Sequence, residues 1–310
     1  MRSVRTDLAM EAAGRYTQNI LGVRIETIEE ENILETIVHI DTDEAAHKLD
    51  KAKGTFITLC ANALPCAGPD LRQKVAQRLS AALSGLIPGD GEILLIGLGN
   101  RHVTADALGA QVVDYALVTR HMKSNVADEL QARLRSVCAV APGVLGVTGM
   151  ETAEMVKGIV ERIKPCTVIA IDALAALDSN RIGTTIQITD TGINPGSGVK
   201  NHRRGLTIDT LGVPVIAIGV PMVVYASTIA RDALSILVND LKLTSEEANG
   251  EEQALDSLIE HISKGPLGEL IVTPREIDNM VKNLAQTLAM GINFALQPKL
   301  SREEIPILMN

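Results

Sequence analysis

The chain has 310 residues, 38 of them acidic and 29 basic, for a net charge of −9. That length allows one large domain or two modest ones. The acidic balance argues against a nucleic-acid-binding surface, leaving only the local basic run from Lys200 to Arg204 as an exception. Aromatic residues make up 2% of the chain and tryptophan is absent, so Val, Ile, Leu and Ala must fill the core. Such a core suits β-branched parallel strands covered by helices.

Met1 to Met10 mixes Arg2, Arg5 and Asp7 and lacks an apolar run, so no secretory leader is expected. The longest apolar stretch, Val213 to Ala226, is interrupted by Pro214, Gly219 and Pro221 and is too short to span a bilayer. A cytoplasmic protein without a membrane partner is expected. Cys60, Cys66, Cys138 and Cys166 are widely spaced and form no C-x-x-C, which reads as free thiols behaving as small hydrophobes.

In chain order, Ile25 to Ile40 alternates in patches and predicts peripheral strands, and Thr55 to Cys60 predicts another. Leu71, Val75, Leu79 and Leu83 share one face of a helix closed by Ile87-Pro88-Gly89. From Glu92 the pattern becomes regular. Strands are expected over Glu92 to Leu98, Arg135 to Ala141 and Cys166 to Ile171, with helices over Ala107 to His121 and Thr152 to Ile163. Alternation at these lengths implies βαβ crossovers and a mostly parallel sheet flanked by helices. Thr184 to Thr189 and Val213 to Ile218 add two strands, followed by a helix at Ser227 to Leu241. Ser245 to Glu252 is a charged loop that could open an appendage over 245–273, and Pro274 precedes a last helix, Arg275 to Leu296. One α/β domain with elaborated N- and C-terminal segments is the simplest account.

Ligands of open α/β sheets gather outside the carboxyl ends of the strands, and three segments arrive there with unusual residues. Gly97-Leu98-Gly99-Asn100 turns sharply toward a helix, with Thr104 as an expected N-cap and Asp106 in the first turn, where it can also serve the helix dipole. The third glycine of a dinucleotide fingerprint would fall on His102, so that fingerprint fails. Asp172 ends the apolar run Val168-Ile169-Ala170-Ile171, where a carboxylate must be hydrogen-bonded, paired or functional. Asp190-Thr191-Gly192 matches the triplet of all-β aspartic proteases but occurs once, in an α/β setting, and reads as a turn. Ser197 lacks a G-x-S-x-G elbow. The six histidines show no metal spacing, although His102 or His121 could join Asp106 and Asp172 around a divalent ion.

Taken together and in order, Gly97-Leu98-Gly99-Asn100, Thr104-x-Asp106-Ala107-Leu108-Gly109, Ala141-Pro142-Gly143-Val144, Ala170-Ile171-Asp172-Ala173-Leu174-Ala175-Ala176, Thr184-Thr185-Ile186-Gln187-Ile188 and Asp190-Thr191-Gly192-Ile193-x-Pro195-Gly196-Ser197-Gly198 resemble the germination protease of spore-forming bacteria. Gly219-Val220-Pro221 and Arg5-Thr6-Asp7-Leu8-Ala9 extend the resemblance over most of the chain. It implies an endopeptidase that initiates breakdown of small acid-soluble spore proteins in the forespore and spore core, with a fold similar to hydrogenase maturation endopeptidases. It also implies a homotetramer, without a cofactor, made as a zymogen that processes itself. The proposed catalytic pair of the family matches Asp106 and Asp172, and cleavage between Asp7 and Leu8 would release a propeptide of residues 1–7 from a peptidase domain of 8–310. Ala105 stands where the family usually has proline. Two other readings stay open at this point: a metal-dependent maturation-type endopeptidase, and a non-catalytic α/β module that binds a small ligand.

Overall fold

The computed structural model describes residues 8, 20–124, 126–194, 204–240, 265 and 270–309. The basic run up to Arg203, the segment Pro195 to Gly198, the charged loop after Ser245 and the residues before Leu8 lie outside the described residues, as does nearly all of the expected appendage.

Two strands, β1 (Val23–Glu30) and β2 (Ile33–Ile40), form a hairpin. Its two-residue turn places Glu31 and Asn32 at φ 56 and 64, both left-handed, the geometry that matches the twist of paired strands. Thr42 caps helix α1 (Asp43–Leu49) by accepting from the Ala45 N–H at 3.2 Å. After β3 (Gly54–Cys60), Pro69 opens helix α2 (Pro69–Leu86), whose Val75, Leu79 and Leu83 are buried on one face as the spacing predicts.

The regular part follows: β4 (Ile93–Gly97), α3 (Leu108–Asp114), β5 (Val137–Val140), α4 (Thr152–Ile163) and β6 (Thr167–Ala176). Then come β7 (Thr185–Thr189), β8 (Val215–Tyr225), α5 (Ala226–Asp240), β9 (Ile271–Val272) and α6 (Ile277–Leu296). The strands lie in the order β1-β2-β3-β7-β8-β6-β4-β5, with β9 on the far end of β8.

The sheet is mixed rather than mostly parallel. Only β8, β6, β4 and β5 run parallel to one another, and all other pairs are antiparallel. The reason is connection length. Parallel neighbours need a crossover of a dozen residues or more, and the two residues between β1 and β2 allow only an antiparallel pair. Two strands also outrun their expected ends. β6 continues past Asp172 to Ala176 because β8 supplies partners as far as Val224.

Register makes the two sides of the sheet unlike. Ile37, Ile57, Ile188, Ile218 and Ile171 stand in one cross-strand row and belong to the large core under α2, α3 and α6. Gly291 of α6 lets that helix approach α2 closely, since a Cβ there would lie 2.8 Å from the Ala76 carbonyl oxygen. On the other side, α4 covers Leu94, Ile96, Val168 and Ala170 with Ala153, Val156 and Val160.

The helix expected over Ala107 to His121 stops at Asp114. Asn293, 3% exposed on α6, accepts from the Leu117 N–H at 2.8 Å and donates to the Tyr115 carbonyl at 3.3 Å. A side-chain amide thus takes the backbone groups that another helical turn would have used. One turn further along α6, Gln297 bonds both the N–H and the carbonyl of Arg135. Replacing Asn293 with Leu keeps the volume and orphans the two backbone groups. The expected cost is about 1–3 kcal/mol per group left unpaired, measured as a lowered urea midpoint.

Candidate active site

The carboxyl end of β4 is built around close backbone contact. Leu98 N–H donates to the Ile171 carbonyl at 2.8 Å, extending the parallel ladder one residue past β4. Gly99 then turns the chain with φ +96, and a Cβ there would fall 1.9 Å from the Asp106 carbonyl oxygen. Gly109, in the first turn of α3, is as tight: a Cβ would meet the Ile171 carbonyl oxygen at 2.3 Å and the Leu98 nitrogen at 2.6 Å. Only glycine permits these approaches.

Asp106 closes this loop. It ends a short 3-10 turn, Thr104–Asp106, and its Oδ2 accepts from the Asn100 N–H at 2.7 Å. Asn100 Oδ1 in turn accepts from the His102 N–H at 3.0 Å. Thr104 is not the helix N-cap: Ala107 holds that position without a side-chain bond, because the intervening 3-10 turn moves the helix start to Leu108. Arg101 reaches along α3 to Asp114 at 2.5 Å. That hydrogen bond raises its already high pKa and fastens the loop to the helix.

Asp172 sits within β6, not at its end, opposite Gly219 of β8. It is 5% exposed, and its Oδ1 accepts from the Ala173 N–H at 2.9 Å. The preceding residue, Ile171, is the one that receives Leu98. Two peptide units, Leu98–Gly99 and Gly99–Asn100, therefore separate the bond beside Asp172 from the bond that holds Asp106. The structure brings both sequence-predicted carboxylates to the same end of β4.

Leu8 is also placed here. It is fully buried and packs with Leu174, Ala176 and Val224, bordered by Ile182 and Ile193. Leu174 and Ala176 follow Asp172 at two-residue steps along β6, so Leu8 lies on the Asp172 face of the sheet. Burying a leucine side chain contributes about 1.5–3 kcal/mol, enough to hold the chain at this point.

The remaining candidates separate from the pair. His102 is exposed in the Asp106 loop. His121 belongs to the opposite end of the sheet, where Thr119 N–H bonds the Val137 carbonyl at the start of β5 and Arg120 pairs with Glu92 before β4. The expectation that both histidines lie near the site fails for His121 because the chain after α3 has reached the end of the sheet where β4 and β5 begin. Among the described residues no three His, Cys, Asp or Glu side chains form a metal-holding group. Asp190 accepts from the Thr55 N–H at 2.8 Å, and Gly192 has φ +82, so the Asp-Thr-Gly triplet is a turn that ties β7 to the start of β3. The four cysteines are free thiols, with Cys66 exposed rather than packed. Burial pushes the Cys138 thiol up to about 11, which keeps it protonated and inert.

Sequence reading missed the company Asp172 keeps. On its face of the sheet, register aligns Thr36, Thr58, Gln187, Gly219 and Asp172 across five strands. Thr36, Thr58 and Gln187 are 7%, 0% and 7% exposed. The signal was present in Thr185-Ile186-Gln187-Ile188-Thr189, whose alternation ordinarily marks a solvent-facing side. Here both sides are buried.

Residues 3–259 match the family model described as germination protease. The chain is 46% identical to the germination protease of Caldanaerobacter subterraneus subsp. tengcongensis, covering 99% of this chain and 98% of that one. It is 42% identical to that of Clostridium acetobutylicum, over 98% of each chain. For Bacillus velezensis the identity is 39%, over 97% of this chain and 95% of the relative. Among solved structures, the [NiFe] hydrogenase maturation protease HycI from Thermococcus kodakarensis KOD1 matches at 22% identity over 46% of this chain and 80% of that one. Its TM-score of 0.29 is too low to carry an argument. On the family model and the near-complete coverage of these relatives, the chain belongs to the germination protease family.

Proposed function

We propose that this chain is the endopeptidase that initiates degradation of small acid-soluble spore proteins during germination, and that Asp106 and Asp172 perform the cleavage. The observation that carries the assignment is Asp172: a carboxylate 5% exposed in the middle of an aliphatic strand, one residue beyond the backbone bond to the Asp106 loop. Aliphatic side chains fill the rest of this strand, so a carboxylate here, beside the loop that holds a second one, is the placement a two-carboxylate mechanism needs.

Two neighbouring carboxyl groups resist ionising together and share a proton, which supplies a base and an acid at once. In the proposed cycle Asp106 is the base, held in its loop by the charge-assisted bond from Asn100. It takes a proton from water as the oxygen bonds to the scissile carbonyl carbon. Asp172, enclosed by the sheet, gives its proton to the carbonyl oxygen, forming a neutral gem-diol. Return of the diol proton to Asp172 and transfer of the proton from Asp106 to nitrogen break the C–N bond, leaving the acid and the amine. The pH dependence of cleavage then belongs to the pair, with two limbs.

The same reading makes residues 1–7 a propeptide and 8–310 one peptidase domain, with 245–273 as a possible appendage. Leu8 supports it: the first residue after the expected cut is buried against Leu174, Ala176 and Val224, on the face of the sheet that carries Asp172. Control by so short a segment is steric, through occupation of the site. A homotetramer in the cytoplasm of the forespore and spore core completes the proposal. No helix among the described residues is long and apolar enough to cross a membrane.

Asp106→Asn and Asp172→Asn are each expected to lower cleavage of a small acid-soluble spore protein by at least about a thousandfold and to stop self-processing, with an unchanged far-UV spectrum. Parent activity in either variant would remove the pair from the mechanism. N-terminal sequencing of matured protein should begin at Leu8, and any other start rules out the proposed cut.

A further inference from the structure

We propose that the outer edge of β1 is where a second copy of this chain docks, the two β1 strands pairing antiparallel about a two-fold axis through Ile25. The sheet then runs on from one subunit into the next. This deepens the homotetramer reading by naming one of its interfaces.

The hairpin leaves that edge open. β1 ends the strand order, and every residue from Arg24 to Glu30 is exposed. The Gly22 carbonyl accepts from the Asp41 N–H at 2.8 Å, so the even-numbered residues of β1 are the ones that bond β2. The N–H and carbonyl groups of Val23, Ile25, Thr27 and Glu29 point the other way, as a further strand requires. Leu21, Ile25 and Ile28 are 86%, 55% and 47% exposed. Edges are ordinarily blunted by proline, a bulge or very short length. β1 has eight residues, no proline and an unbroken register with β2.

Its charges select its own copy as the occupant. Residues directly opposed in an antiparallel pair either bond each other or both point away, so a two-fold axis between two β1 strands passes through a residue, not between two. An axis at Arg24 or Glu26 sets like charges face to face, which is destabilising. One at Thr27 sets Ile25 opposite Glu29, and one at Ile28 sets Glu26 opposite Glu30. With the axis at Ile25, that residue meets its own copy, Val23 meets Thr27, and Arg24 meets Glu26 of the opposite charge. The apolar match extends inward. Ile25 stands opposite Val38, and Val38 opposite Phe56. Val38 and Phe56 are buried under α1 with Ala45 and Leu49, whereas Ile25 ends the row half-exposed. Pairing at Ile25 joins the two rows end to end and covers it.

The test uses the full-length protein, with its mass read by sedimentation at micromolar concentration. The parent is expected to be a tetramer. A tetramer built from two-fold contacts has more than one kind of them, so losing this one leaves dimers. Ile25→Lys sets two ammonium groups face to face on the axis and is expected to halve the mass. Thr27→Pro removes an outward N–H that the hairpin does not use and should do the same. If neither variant accumulates as folded protein, cross-linking decides. In a Cys66→Ser background, Ile25→Cys should form an intermolecular disulfide on mild oxidation, because Cα atoms of a bonded antiparallel pair lie about 5.5 Å apart. Ile28→Cys, whose two copies would stand roughly 20 Å apart, should not. A folded Ile25→Lys variant with the parent tetramer mass, or failing that an Ile25→Cys variant that does not cross-link, overturns this interface and leaves the homotetramer standing. A monomeric parent overturns both. An unchanged mass with a raised KM for a small acid-soluble spore protein assigns the edge to substrate and overturns the proposal as well.

Discussion

Backbone touching backbone at the end of β4 is the constraint on which the site depends. Gly97, Gly99 and Gly109 each occupy a position where a Cβ would come within 2.3 Å of a carbonyl oxygen. Their absence of side chains allows α3 to begin directly against β4 and β6 and lets the loop double back on Asp106. The bond from Leu98 to Ile171 and the bond from Asn100 to Asp106 are then drawn through the same three residues of chain. Two carboxylates that are 66 residues apart in sequence thereby come to share one strand end. Their placement at that strand end rests on stiff peptide units rather than on flexible side chains.

The second organising feature is the division of labour between the faces of the sheet. The isoleucine face, packed under α2, α3 and α6, provides the aliphatic burial that stabilises the fold. The other face is free to carry groups that packing alone would not choose. Asp172, Gln187 and Thr58 are there, and so is Leu8, which packs on β6 and β8 from the far end of the chain. Under the proposed function, this arrangement lets a protease be built complete and kept silent by its own N-terminal segment.

Much of the architecture was legible in the chain itself. The α2 and α4 helices follow from apolar spacing, and β4 from its aliphatic run, because burial on one or both faces imposes a period that the sequence must keep. Asp106 and Asp172 stood out as carboxylates after apolar strands, and the ordered motifs tied them to a family. Less was legible where a distant group intervenes. The early end of α3 depends on Asn293, almost 180 residues downstream of the backbone it bonds. The length of β6 depends on β8, which supplies the partners that carry the strand beyond Asp172.

The sequence by itself determined the aliphatic core, the central strand-helix alternation, the sharp glycine turn after β4 and the two candidate carboxylates, Asp106 and Asp172. Each of these is a local property, written in residue type and short-range period. Only the tertiary structure decided that the sheet is mixed, that Asp172 lies inside its strand, that Leu8 is buried on the same face, and that Gln187 stands one strand away. Those facts belong to cross-strand register. A shift of one residue would move every side chain of a strand to the opposite face, and register is settled by the pairing of segments far apart in the chain.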